Sequence, residues 1–488
     1  MTPMLPEPPL AVLLGLPFHD LTLAETLDFC TQAMLDQQSR YMVTANVDFT
    51  TQAYEDPDLK RIVFFADRVV CDGMPLVWLS RIFGHPLRER VAGSDMVPRL
   101  LEICGKAGHG VYFFGSDMAT LQEAKGIVEQ RYPGLRVVGL DSPPMGAVIE
   151  WDNDGLCQRM RASGAKLLLV CLGCPKQERW ICAHHGETGI PLSIGVGASL
   201  DFFTGKQIRA PRWMQVTGLE WFWRMAGDPK RLASRYVRDL IFLVRAAWRQ
   251  ALSQRRRKVL GETAREQRPP EPELDAATLP VTRLEWHGVL QRGSLTGAPV
   301  PELISTPVLL NAARITLMDS SGLGQLARLA RACRTAGQLL VVVAPSPAFK
   351  TSVAAAHMDF LMPTAASEAA AMKLVAEHQA GGGTSHTAAN GVVQVSFNRP
   401  LDATYHDEMM TVLRSSIENS AGIRVLVVNL KDVSFLDSRA VGGLIRAWKM
   451  MVAKGGEMYY AAASPAVAEI LRLLRMDQVL KEWKGVPL

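Results

Sequence analysis

Three polar residues with catalytic potential follow two predicted strands. Asp72 ends the apolar run DRVVCD, and Thr44 and Asn46 lie at the end of the run RYMVTAN, with Thr44 placed 28 residues before Asp72. A carboxylate in such a position can accept a proton from a hydroxyl nucleophile. The same residue types also cap turns and helices that follow strands, so the spacing leaves a capping role open as an alternative.

A second polar group follows the apolar run KLLLVCLG. Gln177 and Glu178 come at the start of a predicted helix, with Lys176 before them and Arg179 after them. Because a helix N-terminus favours anions, an amide and basic groups there can hold a phosphate or a sugar. A capped, solvated helix start would use the same residues, and the sequence leaves that alternative open.

A strongly basic segment lies near the middle of the chain. Residues 206–258 contain 14 Lys or Arg and three acidic residues, a net charge of +11, whereas the whole chain of 488 residues carries +5 and the remainder therefore −6. Arginine side chains in this segment could bind a diphosphate through paired N–H donors: Arg209, Arg212, Arg224, Arg231 and Arg235. Four tryptophans accompany the charge, and this combination favours a lipid surface. Nucleic acid is the weaker alternative, since no recognition motif is present.

The residues up to about 250 alternate between strand and helix patterns. Six short apolar runs predict buried strands: RYMVTAN, DRVVCD, GVYFFGS, LRVVGL, KLLLVCLG and PLSIGVG. Segments such as SDMVPRLLEICGKAG have helical apolar spacing and end in glycine. We therefore predict a Rossmann-like α/β fold with a mainly parallel sheet, whose ligands bind at the carboxyl ends of the strands.

The composition limits the remaining classes of protein. A hydrophobic fraction of 48% and a charged fraction of 21% are typical of a folded, soluble protein. No apolar run reaches the roughly 20 residues that span a bilayer, and the N-terminus lacks the basic region of a cleaved signal. The cysteines are expected to be reduced, and the one metal-like group, Cys171, Cys174 and Cys182 with the following histidines, includes a predicted core strand. No metal and no cofactor are predicted.

The C-terminal part of the chain contains an internal repeat. Two segments, one with LMDSSGLGQL and one with FLDSRAVGGL, read as strand, loop, Asp-Ser, helix, glycine and strand, and Asp319 and Asp437 are 118 residues apart. Charged, proline-rich residues 253–275 and glycine-rich residues 379–391 are predicted to be linkers.

Several motifs of the first block together identify a known family. TAN, ADRVVCDGMPLVW, RVAGSD, FFGS, LGCPKQE, GASLDFFTGKQIRAPRW and GLEWFWRM occur in this order over residues 10–250. They resemble the WecG/TagA/CpsF family of glycosyltransferases. That resemblance implies an inverting transfer of a sugar, often of N-acetylmannosamine type, from a UDP-sugar donor to a polyprenyl-diphosphate-linked acceptor in surface polysaccharide synthesis.

The resemblance also assigns roles to residues of this chain. It implies that Asp72 is the general base, that Thr44 and Asn46 line the same pocket, and that Gln177 lies at a donor-site position. Glu178, next to Gln177, is a further candidate for substrate binding. The arginines of the basic segment would neutralise the departing UDP or hold the lipid diphosphate. The segment itself would bring the site to the inner face of the membrane, so the protein is expected to be cytoplasmic and peripherally membrane-bound.

The repeated C-terminal blocks resemble STAS domains, the family of anti-sigma-factor antagonists and sulfate-transporter tails. Ser321 occupies the position that the antagonists phosphorylate, whereas Arg439 stands at the corresponding position of the second block. A phosphate on Ser321 would be stabilised at a helix N-terminus. Simple helix capping by Ser320 and Ser321 is the alternative.

These patterns predict six segments and two alternative functions. The segments are a glycosyltransferase core (1–205), a basic appendage (206–252), a linker (253–275), a first STAS-like domain (276–378), a second linker (379–391) and a second STAS-like domain (392–488). The leading hypothesis is a hexosyltransferase whose STAS-like domains regulate it or dock a protein partner. The alternative is a non-catalytic signalling scaffold that binds a nucleotide sugar.

Overall fold

The structure is a computed structural model of the chain. It describes residues 8–36, 38–146, 148, 151–206, 209–211, 213–214, 219–227, 229–263, 279–291, 295, 297–301, 303–379, 384–389, 391–398, 401, 405–420, 422–433, 435–473, 476 and 479–483. The chain divides into two compact units. One contains the residues up to Pro144 together with Asp154–Ala371, and the other contains Met145–Asn153 and Met372–Leu488.

The first unit begins with a hairpin of β1 (Leu10–Leu13) and β2 (Leu16–His19). Its two-residue turn, Leu14-Gly15, has positive φ at both positions, 50° and 81°. This is the geometry of a type I′ turn, whose twist matches that of the paired strands.

Six further strands form one parallel sheet: β3 (Arg40–Ala45), β4 (Arg68–Cys71), β5 (Gly110–Gly115), β6 (Arg136–Asp141), β7 (Leu167–Cys171) and β8 (Leu192–Gly195). Their order across the sheet is β4-β3-β8-β7-β5-β6, and each neighbouring pair is parallel. All six predicted strands are thereby confirmed. The carboxyl ends of β4, β3, β8 and β7 lie side by side, so residues from four separate stretches of sequence meet at one edge.

Eight helices connect these strands: α1 (Leu23–Leu35), α2 (Val47–Glu55), α3 (Pro57–Phe65), α4 (Met74–Ile82), α5 (Gly93–Ala107), α6 (Met118–Arg131), α7 (Asn153–Ser163) and α8 (Lys176–His184). A 3₁₀ turn, Gly197–Phe202, follows β8. Local signals explain their limits: Thr22 and Glu25 form a capping box at the start of α1, and Gly108 ends α5 with φ 67°. The α/β class is confirmed.

The sheet is held between helices by a large apolar core. Met42, Val111, Phe113, Leu169 and Ile194 of the strands are each at most 1% exposed and pack in one buried cluster with apolar residues of α1, α5 and α6. Strands buried on both faces have to be apolar throughout, which is why they read as continuous apolar runs.

The basic appendage forms two helices, α9 (Glu220–Gly227) and α10 (Pro229–Thr263). The predicted linker at 253–275 therefore differs from the structure over its first part, because α10 continues to Thr263. This part of the linker, SQRRRKVLGET, contains strong helix formers and no proline, and its charge does not oppose helix formation. The rest of the predicted linker, from residue 264, lies outside the described residues.

The first STAS-like domain belongs to the same unit as the transferase core. It contains β9 (Thr282–Leu290), β10 (Val308–Met318), α11 (Ser320–Thr335), β11 (Leu340–Val343), α12 (Pro347–Ala355), a 3₁₀ turn (Asp359–Leu361) and β12 (Thr364–Ala365), and α13 (Glu368–Gln379) follows. The four strands form a parallel sheet in the order β12-β11-β10-β9.

The second STAS-like domain belongs to the other unit. It contains β13 (Thr384–Ala389), β14 (Val392–Phe397), α14 (His406–Asn419), β15 (Val425–Asn429), α15 (Ser438–Ala453), β16 (Glu457–Ala461), α16 (Pro465–Leu473) and β17 (Lys481–Glu482). The sheet order is β13-β14-β15-β16-β17, with β13 antiparallel to β14. The repeat is confirmed, since Asp319 and Asp437 are the N-caps of α11 and α15.

The second predicted linker, at 379–391, also differs from the structure. Residues 384–389 form β13, which pairs with β14 so that Ala389 lies opposite Val392. The two residues between them in sequence are Asn-Gly, the dipeptide that two-residue hairpin turns favour. The preceding Gly-Gly-Gly indicates a linker, whereas the Asn-Gly dipeptide after it indicates a hairpin.

Candidate active site

Asp72 lies directly after β4, at the edge where four strand ends meet. Its backbone N–H donates to the carbonyl oxygen of Ala45 at the end of β3 (2.9 Å), which extends the pairing of the two strands by one residue. Its Oδ2 lies 3.4 Å from the backbone nitrogen of Gly93, the first residue of α5. The side chain is half-buried. It therefore has fixed neighbours and remains open to a substrate.

Three further residues converge on Asp72. A Cβ added at Gly93 would lie 3.7 Å from Thr44 Oγ1 and 3.6 Å from Ser199 Oγ, so both hydroxyls lie beside the residue that donates to Asp72. Asn46 is the N-cap of α2, where its side-chain oxygen accepts from Phe49 N, and its Cα lies 3.7 Å from the corresponding Cβ position of Gly73. The structure thus brings Thr44, Asn46 and Asp72 together, and it adds Ser199. Asn46 has the capping role and also lies at the site.

Arg90 supplies positive charge next to Asp72. Its guanidinium forms ion pairs with Asp95 (2.8 Å) and Glu220 (3.0 Å), and its side chain is 15% exposed. Burial opposes the charge, but Asp72, Glu220 and Asp95 outweigh burial and raise the pKa of Arg90 above its ordinary value. A permanent cation therefore lies beside the Asp72 carboxylate. The sequence patterns assign no role to Arg90 or Ser199, although both are part of quoted motifs, RVAGSD and GASLDFF.

Gln177 ties the ends of β7 and β8 together. Its Oε1 accepts from the backbone nitrogens of Gly173 (3.2 Å) and Gly197 (3.0 Å), and its Nε2 donates to Glu178 Oε1 (2.7 Å). A Cβ at Gly195 would come within 2.7 Å of Nε2, so glycine is needed for this approach. Gln177 is 6% exposed. The structure shows this bracing role, and contact with a donor stays a prediction.

Glu178 is a buried carboxyl group, only 3% exposed. Loss of hydration on burial raises its pKa from 4.5 to about 7, against the opposing effects of Gln177, its own backbone, Cys174 and Arg179. Its Oε2 has no hydrogen-bond partner among the described residues. Arg179 does not neutralise it directly, because Arg179 is paired with Asp56 (2.5 Å) and Asp58 (3.2 Å). A carboxyl group with a pKa near neutrality can carry or accept a proton.

Arg209 is the predicted arginine whose contacts are described in full. It donates to Asp95 Oδ1 (2.7 Å) and to the carbonyl oxygen of Ser94 (3.3 Å). Its Nε and other terminal nitrogen are buried and donate no hydrogen bond within the described part of the chain. Asp95 also pairs with Arg90, so Arg209 is linked through Asp95 to the arginine that lies beside Asp72. Its two unused donors suit an anionic ligand.

The other predicted arginines are only partly covered. Arg212 lies outside the described residues, and Arg224 and Arg231 lie in α9 and α10 with side chains outside the described part. Arg235 and Arg238 of α10 can be placed, at 4.0 Å and 2.8 Å from the Asp48 carboxylate. Asp48 is in the first turn of α2, two residues after Asn46, so α10 reaches the rim of the site.

Cys171, the first residue of the metal-like cysteine group, lies in a core strand, as the sequence predicted. The strand is β7, and burial raises the pKa of Cys171 far above the ordinary value. Among the described residues, the Cys, His and acidic side chains that lie close enough to share an ion are Cys157, His184 and Glu187, with ligand atoms within 4.8 Å of one another. His184 Nδ1 is 3.1 Å from Glu187 Oε2, an ordinary hydrogen bond.

Helix α10 has two different faces. Leu232, Asp239 and Ala246 are buried. The opposite face exposes an apolar stripe at helical spacing: Val237, Leu240, Ile241, Val244 and Trp248, which are 47–68% exposed. Helix α9 and the residue before it add Leu219, Trp221, Phe222 and Trp223, at 37–49% exposure. Within the described residues, no helix is both long enough and apolar enough to cross a membrane.

Ser321 lies at the start of α11, as its motif predicted. Its backbone N–H donates to the N-cap side chain of Asp319 (2.7 Å), and its hydroxyl oxygen is 2.8 Å from Nδ1 of His85. His85 follows α4 of the transferase core and is 7% exposed. The hydroxyl is therefore held against another part of the unit. Phosphorylation of Ser321 stays a prediction, and a modifying enzyme would have to displace this contact.

The fold and the site define an α/β protein with a carboxylate, hydroxyls and arginines at its strand ends. The profile of the glycosyl transferase WecG/TagA/CpsF family matches residues 11–257, half of the chain, and the chain belongs to this family. The STAS domain profile matches residues 231–371 and 386–486, which agrees with the two small sheets. The two matches overlap within α10.

Bacterial transferases are among the relatives of this chain. An N-acetylglucosaminyldiphosphoundecaprenol N-acetyl-beta-D-mannosaminyltransferase of Bacillus spizizenii is 29% identical over 217 residues, which cover 44% of this chain and 82% of the relative. Proteins of the same name from Bacillus subtilis (26% identical, covering 44% and 83%) and Staphylococcus aureus (25% identical, covering 45% and 85%) also match.

Solved structures match the STAS-like part. An anti-sigma factor antagonist from Mycobacterium paratuberculosis is 20% identical and covers 21% of this chain and 86% of its own, with a TM-score of 0.20. A STAS domain protein from Planctomyces limnophilus is 23% identical and covers 20% and 87%, with a TM-score of 0.19. Such scores carry no weight, and the STAS assignment rests on the profile match and the sheet topology.

Proposed function

We propose that the chain is an inverting glycosyltransferase that moves a hexose, of N-acetylmannosamine type or related to it, from a UDP-sugar to a polyprenyl-diphosphate-linked sugar. The observation that carries the proposal is the half-buried carboxylate of Asp72 between Gly93, Thr44 and Arg90 at the carboxyl edge of the sheet. Family membership and the names of the relatives support the same reaction class.

Asp72 would act as the general base. The acceptor hydroxyl oxygen attacks the anomeric carbon of the donor, Asp72 takes the proton, and the bond from that carbon to the UDP oxygen breaks on the opposite face, which inverts the configuration. Arg90 would place positive charge beside the Asp72 carboxylate, and its own charge is shared with Asp95 and Glu220. The hydroxyls of Thr44 and Ser199 would position the sugar.

The departing UDP carries negative charge that needs stabilisation. Arg209 has two buried donors without a hydrogen-bond partner in the described part of the chain, and it lies beside the pair of Arg90 and Asp95. A guanidinium can bind two phosphate oxygens at once, which suits a diphosphate. Arg212, Arg224 and Arg231 would extend this positive surface, as the resemblance implies.

The acceptor lipid would reach the site from the inner face of a membrane. The apolar stripe of α10 is exposed, and ten Lys or Arg lie between residues 229 and 263 of the same helix. An amphipathic basic helix lies in the headgroup region of an anionic bilayer without crossing it. Because α10 packs on α2, whose N-cap is Asn46, a bilayer at the stripe would lie close to the site.

The first test compares the wild type with Asp72→Asn. UDP release is measured from UDP-sugars of the N-acetylmannosamine type, with and without a polyprenyl-diphosphate-linked acceptor, and donor binding is measured separately. Asp28→Asn is the control, since it removes one carboxylate from an exposed position of α1. We expect acceptor-dependent release to fall at least 100-fold in Asp72→Asn, a typical contribution of a general base, with donor binding retained.

Two other results would contradict the proposal. Equal turnover in the wild type and Asp72→Asn would remove Asp72 from the mechanism. Binding of a UDP-sugar without turnover for any acceptor would instead favour a signalling scaffold. Asp28→Asn should match the wild type, and a loss there would mean that the assay reports folding and not chemistry.

A further inference from the structure

The apolar core of the first STAS-like domain includes residues of the transferase core. Leu10 and Val12 of β1 and Phe64 of α3 belong to the same buried cluster as Trp286, Leu326 and other residues of the domain. The side chains of Leu10, Val12 and Phe64 are at most 6% exposed. Their burial means that the domain, taken alone, would expose an apolar surface where β1 now lies.

A comparison of the two STAS-like domains shows what β1 replaces. In the second domain, α14 joins β14 to β15 and packs against α15. In the first domain, residues 291–307 join β9 to β10, and their described part contains no helix. This connection has 17 residues and includes Pro299, Pro301 and Pro307, which disfavour a helix. There β1 packs against α11, the counterpart of α15.

The contact between β1 and α11 is unusually close. At Gly324, in the second turn of α11, an added Cβ would overlap the carbonyl oxygen of Leu10. The backbone of Leu10 is fixed by its pairing with His19 in the hairpin. Glycine is therefore required at this position by the neighbouring chain, since a helix by itself would favour alanine.

Polar contacts surround this apolar centre. Arg331 of α11 donates to the carbonyl oxygen of Asp67 (3.0 Å), and its other terminal nitrogen is 3.0 Å from His19 Nε2. The guanidinium of Arg334 lies 3.5 Å from the ring centre of Phe65. Lys60 of α3 donates to the carbonyl oxygen of Ala356 (3.0 Å), and burial lowers its pKa to about 8. The contact of Ser321 with His85 is a further polar contact of α11 with the same part of the chain.

The docked domain also contacts the helix that reaches the active site. The ring of Tyr54, in α2, lies 5.2 Å from Phe242 of α10 and 5.4 Å from His357 after α12. Helix α10 packs against α2, β10 and α12. One turn before Phe242, Arg238 pairs with Asp48 of α2. The position of α10 over α2 thus depends on both the transferase core and the first STAS-like domain.

We propose that the first STAS-like domain is a fixed part of the transferase: the hairpin β1–β2 completes its core by packing on α11, as α14 packs on α15 in the second domain, and the docked domain holds α10 over α2 beside the site. The functional half of this inference rests on the proposed transferase activity. The structural half does not, because it concerns only the contacts of β1, α10 and α11.

A pair of glycine substitutions in the full chain tests the inference. Gly324→Ala introduces a Cβ that overlaps Leu10, whereas Gly442→Ala changes the glycine at the equivalent position of α15, four residues after its first residue, where a Cβ meets nothing within 4 Å. Both changes favour the helix itself, by about 1 kcal/mol. Backbone amide exchange is followed in residues 10–19 and 229–248, together with acceptor-dependent turnover.

We expect amide exchange in both segments to be at least ten-fold faster in Gly324→Ala, turnover to be at least five-fold lower, and Gly442→Ala to match the wild type. Unchanged exchange in residues 10–19 would overturn the docking. If exchange becomes faster in residues 10–19 but is unchanged in α10, the domain does not hold α10. The same conclusion follows if exchange becomes faster in residues 10–19 and an active protein keeps its turnover. If the wild type transfers no sugar, the exchange data still decide the structural half.

A second variant covers the case in which Gly324→Ala does not fold. Arg331→Gln removes the contacts to Asp67 and His19 without adding volume to the interface. We expect faster exchange in residues 10–19, by about three-fold to ten-fold, as the loss of about 1 kcal/mol in hydrogen bonding implies. Exchange equal to the wild type in this variant would contradict the docking.

Discussion

The guanidinium of Arg90 lies 3.0 Å from the carboxylate of Glu220, and this ion pair joins the surroundings of Asp72 to the first helix of the basic appendage. Both side chains are largely buried, at 15% and 10% exposure. Arg90 therefore has two roles: it keeps positive charge beside the candidate base, and it fixes the start of α9. The basic appendage therefore contributes a structural contact next to the site in addition to its charge.

Loss of this ion pair should weaken both stability and turnover. Glu220→Gln leaves Arg90 with Asp95 as its remaining ion-pair partner among the contacts described, and we expect unfolding to become easier by about 1–3 kcal/mol. Acceptor-dependent turnover should fall more than donor binding, because α9 loses its anchor. Thermal unfolding and steady-state kinetics measure the two effects. Glu102→Gln, which removes an exposed ion pair with Lys106, is the control and should leave the stability close to that of the wild type. Equal effects of the two substitutions would contradict the role of Glu220.

The raised pKa of Glu178 predicts a pH-dependent stability. Between pH 4.5 and about 7 the folded protein keeps a proton on Glu178 that the unfolded chain has released, so the stability falls as the pH rises through this window. Above about pH 7 Glu178 is ionised in the folded protein as well, and its ionisation lowers the stability no further. Glu178→Gln cannot ionise. At pH 8 we therefore expect its free energy of unfolding to exceed that of the wild type by up to about 3 kcal/mol, and its unfolding temperature to be higher.

The difference between Glu178→Gln and the wild type should vanish near pH 4.5. Asp239, whose pKa burial raises to about 6, titrates in both proteins and therefore cancels in the comparison. Glu123→Gln, at an exposed position of α6, is the control and should show no such pH-dependent gain. If the difference in stability between Glu178→Gln and the wild type is the same at pH 5 and pH 8, Glu178 does not titrate in this range.

The apolar stripe of α10 predicts binding to anionic bilayers. Leu240→Ser removes an apolar side chain that is 62% exposed, so the fold should tolerate it, and Leu35→Ser removes one that is 65% exposed on α1. We expect Leu240→Ser to weaken binding to phosphatidylglycerol vesicles about five-fold, corresponding to about 1 kcal/mol of lost apolar burial. Leu35→Ser should bind like the wild type. Vesicle sedimentation measures both, and equal binding of all three proteins would place the membrane contact elsewhere.

Salt separates the two contributions to that binding. The basic residues of α10 attract anionic headgroups through interactions that salt screens, whereas the apolar stripe is insensitive to screening. Raising the salt concentration should therefore weaken the binding of the wild type and Leu240→Ser by the same factor. A larger effect of salt on one of them would show that Leu240 acts through the neighbouring charges.

Much of the fold was predictable because its signals are local. The six strands are buried on both faces, so each reads as an apolar run, and Asp72, Thr44 and Asn46 could be placed at strand ends from the sequence alone. Parallel strands put their carboxyl ends at one edge, which is why residues 28 apart in sequence meet. The internal repeat was visible for the same reason, since Asp319 and Asp437 cap equivalent helices.

The sequence by itself thus determined the α/β class, the strand-end polar residues, the basic appendage and the two STAS-like repeats. Only the tertiary structure decided that Arg90 stands beside Asp72, that α10 continues into the predicted linker as far as Thr263, and that β1 packs into the core of the first STAS-like domain. These features depend on contacts between distant segments, such as Ser321 with His85, 236 residues apart. No local sequence pattern predicts these contacts, because the conformational propensity of a residue depends on its own backbone and not on the distant residue that packs against it.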